Sequence, residues 1–171
     1  MAAGWRAADG MQLGLIVNPV AGIGGRVGLK GSDGVEIQRR AREMGAVPRS
    51  LSRSIGALKR LHAISGHLEI VTYPAEMGED AATACGFCPT VIGSILPGET
   101  TSQDTQNAAQ EMRRMEVDII LFAGGDGTAR DVYNAVRDSV PVLGIPAGVK
   151  IHSAVYAINP ASASQYRLSN R

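Results

Sequence analysis

The run Asp118-Ile119-Ile120-Leu121-Phe122-Ala123 and the break that follows it, Gly124-Gly125-Asp126-Gly127-Thr128, constrain this chain more than any other segment. A short apolar run without alternation reads as a strand buried on both faces, the situation of a strand inside a parallel sheet. Glycines stop it, and Val132, Ala135 and Val136 then recur at helical spacing from a start read at Thr128. Strand, glycine loop and helix in that order predict a unit whose next strand lies parallel to the first.

The same alternation runs along most of the chain. Leu13-Gly14-Leu15-Ile16-Val17 is a second buried strand, ending at Asn18-Pro19 and followed by a loop containing Gly22, Gly24, Gly25, Gly28, Gly31 and Gly34. A helix is predicted from Asp33, where Glu36 completes a D-x-x-E capping pattern, through Ile37 and Ala41 to Gly45. Leu51, Ile55, Leu58 and Leu61, extended by Ile64, predict an amphipathic helix that stops at Gly66. Leu68 to Tyr73 reads as a strand ended by Pro74, Glu79 to Cys85 as a helix capped by Gly86, and Thr90 to Gly93 as a short strand. Thr101 to Met115 reads as a polar helix with Ala108, Met112 and Met115 inward, and Pro141 to Ile145 as the next buried strand. Beyond it, Val155 to Ile158 fits strand or helix, and Pro160 looks like a helix start. The expected fold is α/β, three-layered and doubly wound, with a mainly parallel sheet and helices on both faces.

A chain of 171 residues suits one domain, or one domain and a fragment of a second. With 44% hydrophobic and 19% charged residues it is too apolar to be disordered. A net charge of +1 gives no global field that would draw nucleic acid or anionic lipid, so anion binding has to be local. No apolar run approaches the roughly 20 residues of a membrane span, and Met1 to Arg6 lacks a signal-peptide pattern, so the expected location is cytoplasmic. Cys85-Gly86-Phe87-Cys88 has the spacing of a redox dithiol or half a zinc site, but no second ligand pair is near in sequence. Cys85 also closes a helix instead of opening one, so ordinary reduced thiols are expected.

In a doubly wound sheet ligands bind beyond the carboxyl ends of the strands, which singles out three loops. They are Asn18-Pro19-Val20-Ala21-Gly22, Gly124 to Thr128, and Ile145-Pro146-Ala147-Gly148-Val149-Lys150. Glycines at 124, 125 and 127 can adopt conformations closed to other residues and form an anion-binding nest, while the following helix adds the positive end of its dipole. Oligophosphate suits such a place. A carboxylate beside phosphate repels it unless it serves chemistry, so Asp126 is read as a Mg²⁺ contact or as the acceptor of a hydroxyl proton. The plain alternative is a tight turn in which Asp126 caps the helix with help from Thr128. Arg130 and Asp131 read as within reach of phosphate or metal or, the favoured reading, as a solvated pair on the exposed helix face, and Lys150 as either a phosphate neutraliser or a surface lysine. Arg26 and Lys30 do not complete a P-loop, because Leu29 precedes Lys30 and Gly31 follows it.

Gly124-Gly125-Asp126-Gly127-Thr128 after an apolar strand, with Asn18-Pro19-x-Ala-Gly22 after the first, resembles the superfamily of NAD kinases, diacylglycerol and sphingosine kinases and 6-phosphofructokinases. Within it, Leu13 to Gly25 and Leu121 to Pro160 resemble the ATP-NAD kinase-like group that includes acetoin catabolism protein X. The resemblance implies an NAD kinase N-terminal domain fold and phosphoryl transfer from ATP, with Mg²⁺, to the 2′-hydroxyl of NAD, a step of NADP biosynthesis. It implies Asp126 as catalytic base, with a Mg²⁺ contact as the other role open to Asp126, and nucleotide phosphate bound by Asn18, Gly22, Gly24, Gly25, Gly124, Gly125, Gly127, Thr128 and Lys150. A β-rich second domain follows in typical NAD kinases. Residues 1–11 are therefore expected to be an extension, 12–160 the nucleotide-binding domain, and 161–171 a tail leading to a second domain that this chain lacks. On that expectation the chain alone is inactive, and apolar surface from Ile151 to Ile158 would favour a homo-oligomer. ATP and NAD are the expected partners, with no nucleic acid and no membrane. A nucleotide-sensing module without catalysis is the alternative. A lipid kinase is a weaker one, because Ile145-Pro146-Ala147-Gly148 is unlike the Gly-Thr-x-Asn-Asp pattern of lipid kinases.

Overall fold

The computed structural model describes residues 10–23 and 43–147, with Glu36, Arg39 and Arg40 from the intervening segment. Five strands form one sheet: β1 (Met11–Val17), β2 (Leu68–Thr72), β3 (Thr90–Val91), β4 (Ile119–Gly124) and β5 (Val142–Pro146). Their spatial order is β3-β2-β1-β4-β5. Every pairing is parallel, so among the described residues the sheet is wholly parallel where a mainly parallel one was expected.

Successive residues of a strand face opposite sides, so a strand buried on both faces supplies two cores. Leu13, Leu15 and Val17 of β1 share one core with Ile119 and Leu121 of β4. That side is covered by α1 (Ser50–Leu61) and α2 (Glu79–Ala84) through Ala57, Leu58, Leu61, Ala81 and Ala82. Ile16, Ile120 and Phe122 face the other core, closed by α3 (Ser102–Arg114) and α4 (Asp126–Val136) through Ala108, Met112, Val132 and Val136. The result is the expected three layers. α3 approaches the central strand closely, since a Cβ on Gly14 would stand 2.7 Å from the Met112 sulfur.

Two helical faces differ from expectation. Leu51 is 42% exposed, and the inward stripe of α1 is Ser50, Ser54, Ala57, Leu58 and Leu61. Met115 is 40% exposed as well, because α3 ends at Arg114 and the chain turns away through Glu116 at a φ of 55°. Thr101 precedes α3 and donates its N–H to Asp104 Oδ2 at 2.7 Å, a first-turn carboxylate answering an otherwise unbonded donor. The predicted helix start at Asp33, with Ile37 and Ala41, and the elements read after Val155 lie outside the described residues, as does the side chain of Ile64.

Candidate nucleotide-binding site

β1 and β4 are neighbours in the middle of the sheet, and their carboxyl ends finish level, with Val17 opposite Ala123. From β1 the chain continues to α1 on one face of the sheet, and from β4 to α4 on the other. Connections diverging from adjacent strands leave a crevice at the switch point, which is where parallel α/β sheets bind ligands. Both motif loops found in the sequence therefore meet at one place.

The floor of this crevice is stitched by backbone hydrogen bonds. Asn18 N–H donates to Ala123 O at 2.9 Å, extending the β1–β4 ladder by one residue. On the other side Ala147 N–H donates to Gly124 O at 3.1 Å, tying in the loop after β5. Side chains complete the join. Asn18 Nδ2 donates to Thr128 Oγ1 at 2.9 Å, and Asn18 Oδ1 accepts the Val20 N–H at 3.1 Å. Ser50, at the start of α1, reaches Ala21 O with its hydroxyl at 3.4 Å.

The glycines are explained differently from the sequence reading. None of Gly124, Gly125 and Gly127 has a positive φ, so the expected nest does not form among them; Gly22 alone in the motif loops does, at 78°. Gly124 is required by contact: a Cβ there would lie 2.3 Å from Thr128 Oγ1 and 2.4 Å from its Cβ. Gly125 is extended, with φ −109° and ψ −167°, and precedes α4 as its N-cap. A Cβ at Gly125 or Gly127 would meet nothing within 4 Å, so these two positions open onto space.

α4 begins at Asp126, two residues before the expected start, and Asp126 is therefore not the cap. It sits half-buried in the first turn. Ala129 makes the first intrahelical bond, to Gly125 O at 3.0 Å, so the N–H groups of Gly127 and Thr128 lie ahead of the ladder at the positive end of the helix. Thr128 itself is 3% exposed, its hydroxyl turned into the protein. Asp131 accepts Gln106 Nε2 at 3.0 Å and joins α4 to α3, while Arg130 is exposed. Gly24, Gly25 and Lys150 lie outside the described residues. Among the described residues no three His, Cys, Asp or Glu side chains cluster as a metal cage.

The dithiol spacing lies far from this crevice in the fold, at the end of α2. Cys85 is buried and Cys88 exposed, and both are free thiols. Gly86 has the left-handed φ of 79° and donates its N–H to Thr83 O, the helix end expected of it. No described helix is long and apolar enough to cross a membrane.

Sequence reasoning missed the Asn18–Thr128 bond, whose partners stand 110 residues apart. Their presence in the two motif loops was the available signal.

Comparison with known proteins agrees with this geometry. The ATP-NAD kinase N-terminal domain family matches residues 13–170. A solved structure of a candidate diacylglycerol kinase from Bacillus anthracis str. Sterne is similar with a TM-score of 0.52 at 18% identity, covering 96% of this chain and 41% of that one. A second structure so described, from the same organism, gives a TM-score of 0.50 at 19% identity, over 92% of this chain and 41% of the other. The chain thus spans less than half the length of these neighbours. Among curated proteins none matches. At such identities the neighbours establish the fold, while the family match covers nearly the whole chain: it belongs to the ATP-NAD kinase N-terminal domain family, a kinase-like nucleotide-binding unit.

Proposed function

We propose that this chain is the nucleotide-binding part of an ATP-dependent small-molecule kinase that phosphorylates the 2′-hydroxyl of NAD. The observation that carries the reading is the first turn of α4 at the switch point, with no neighbour within 4 Å of a Cβ at Gly125 or Gly127 and Asp126 between them. Phosphate oxygens would approach the N–H groups of Gly127 and Thr128, where the helix end favours negative charge.

In the transfer, the acceptor hydroxyl oxygen forms a bond to the γ-phosphorus as the bond from that phosphorus to the β–γ bridging oxygen breaks, and ADP leaves. The hydroxyl proton passes to the Asp126 carboxylate. A single carboxylate beside an oligophosphate site fits Mg²⁺ that arrives on the nucleotide, since Mg²⁺ keeps several waters and commonly takes one or two protein carboxylates. Mg²⁺ would neutralise charge on the phosphates; Asp126 holding it is the alternative to Asp126 taking the proton, since a cation on the carboxylate weakens it as a base.

A diacylglycerol acceptor is the competing reading, drawn from what the two structural neighbours are described as. The full-length protein assayed with ATP and Mg²⁺ against NAD, and against diacylglycerol in detergent, separates them. NAD phosphorylation is expected, and Asp126→Asn is expected to reduce it by at least about a hundredfold, within the range of general-base contributions, with an unchanged circular dichroism spectrum. Undiminished turnover in a folded Asp126→Asn protein would sink the role given to Asp126, and product only from diacylglycerol would replace the acceptor.

A further inference from the structure

The geometry points to Asn18 and Thr128 as a positioning pair that sets how the first turn of α4 stands over the loop after β1, with neither side chain a phosphate ligand. This rests on reading the crevice as a nucleotide site. Both ends of the Asn18 carboxamide are engaged within the protein, Nδ2 with Thr128 Oγ1 at 2.9 Å and Oδ1 with the Val20 N–H at 3.1 Å. Its backbone is held too, by the bond to Ala123 O. Thr128 is confined from the other side, because its side chain fills the space a Cβ on Gly124 would need, and it is almost fully buried.

β-Branching restricts the side-chain torsion, and here the packing against Gly124 and the bond from Asn18 hold the Thr128 oxygen in one direction. Thr128 lies in the first turn of α4. Fixing its side chain therefore fixes the rotation of that turn about the helix axis, and with it the aim of the Gly127 and Thr128 N–H groups. Orientation of donors before the ligand arrives is what makes such a site effective. One Nδ2 hydrogen of Asn18 remains beyond the bond to Thr128. A direct phosphate contact would have to use it, and the two roles predict different mutant patterns.

Asn18→Ala, Thr128→Val, the double variant and Thr128→Ser are made in the 171-residue chain. Mg·ATP and inorganic pyrophosphate are titrated into each while amide resonances are followed, at a temperature where each protein is folded. Thr128→Ala replaces Thr128→Val if the latter does not fold, since both remove the acceptor oxygen. Each single variant is expected to weaken binding about tenfold, a typical coupling for residues in contact, and the double variant no further. Thr128→Ser keeps the oxygen but loses the β-methyl restraint, and is expected to recover binding to within about threefold of the parent. Losses that multiply in the double variant, or a loss with Asn18→Ala beside unchanged binding with Thr128→Val, overturn the pair. If the parent chain binds neither probe, the nucleotide reading fails on its own account. Urea unfolding then decides: a midpoint shift in the double variant smaller than the sum of the single shifts upholds the pair, and additive shifts overturn it.

Discussion

Gly124 and Gly125 are adjacent, yet their missing side chains answer different demands. At Gly124 an added methyl would strike a buried threonine that is itself hydrogen-bonded, so nothing nearby can yield without breaking the Asn18 contact. At Gly125 the backbone is ordinary extended chain and the space is open. Gly124→Ala is therefore expected to lower stability by about 1–3 kcal/mol, as overpacking does. Gly125→Ala should cost less, about 0.5 kcal/mol, through the weaker N-cap alone, since nothing there is struck. Urea denaturation checks both, and equal losses would show that the difference in surroundings has no energetic weight.

Two further side chains tie stability to alkaline pH. Burial pushes the Cys85 thiol up, and burial followed by the Glu111 hydrogen bond raises the Tyr73 hydroxyl well above its usual value. Tyr73 donates that proton to Glu111 Oε1 at 2.7 Å. In each case the folded state favours the protonated form. The stabilisation is complete below the unfolded values, about 8.5 for Cys and 10 for Tyr, and is lost as pH rises through the folded ones. Melting temperature is expected to fall with rising pH above about 8.5, and a Cys85→Ala, Tyr73→Phe variant should show a shallower decline. A decline of unchanged slope would locate the alkaline sensitivity elsewhere.

At the scale of elements, α1 carries the clearest divergence between pattern and fold. The leucine spacing suggested an apolar stripe through Leu51, but the helix is rotated so that Ser50 and Ser54 face inward. Their hydroxyls are satisfied, Ser54 on Ser50 O at 2.8 Å and Ser50 on Ala21 O, so burying them leaves no polar group unmet. Small residues let the start of α1 come close to the loop after β1, a requirement set by tertiary contact that a hydropathy pattern does not encode. Leu51→Ser should accordingly lie within about 0.5 kcal/mol of the parent. Leu58→Ala, in the core, should cost about 2–5 kcal/mol. Urea unfolding of the two variants side by side tests the rotation, and a large loss at Leu51 would contradict it. The strands were more legible. β1 from Leu13, β4 and β5 are apolar runs that end at Asn18, Gly124 and Pro146, and a buried parallel strand has little freedom to look otherwise, while β2 carries the exposed Glu69 among apolar neighbours. Thr90 to Gly93 shrank to the two residues of β3, which pair with Val71 and Thr72 of β2.

For the molecule as a whole, alternation of strand and helix was enough to expect a doubly wound sheet, since a parallel pair requires a crossover. The order β3-β2-β1-β4-β5 was not written in any local pattern. It arises from which crossover passes over which face, and it is this order that brings residues near 18 and 126 to one crevice. The candidate site was legible as loops and residue types, and the contacts within it were not. Asn18, Gly124 and Thr128 have the composition of a ligand site, yet their contacts are with one another. Only a close approach between distant segments reveals that.

The stitching of Asn18 to Ala123 and of Gly124 to Ala147 has a mechanical consequence. Three strand ends share one hydrogen-bonded rim, so displacing any of their loops means shearing the central ladder of the sheet. The rim behaves as an anvil: whatever meets it has to take up the shape already offered.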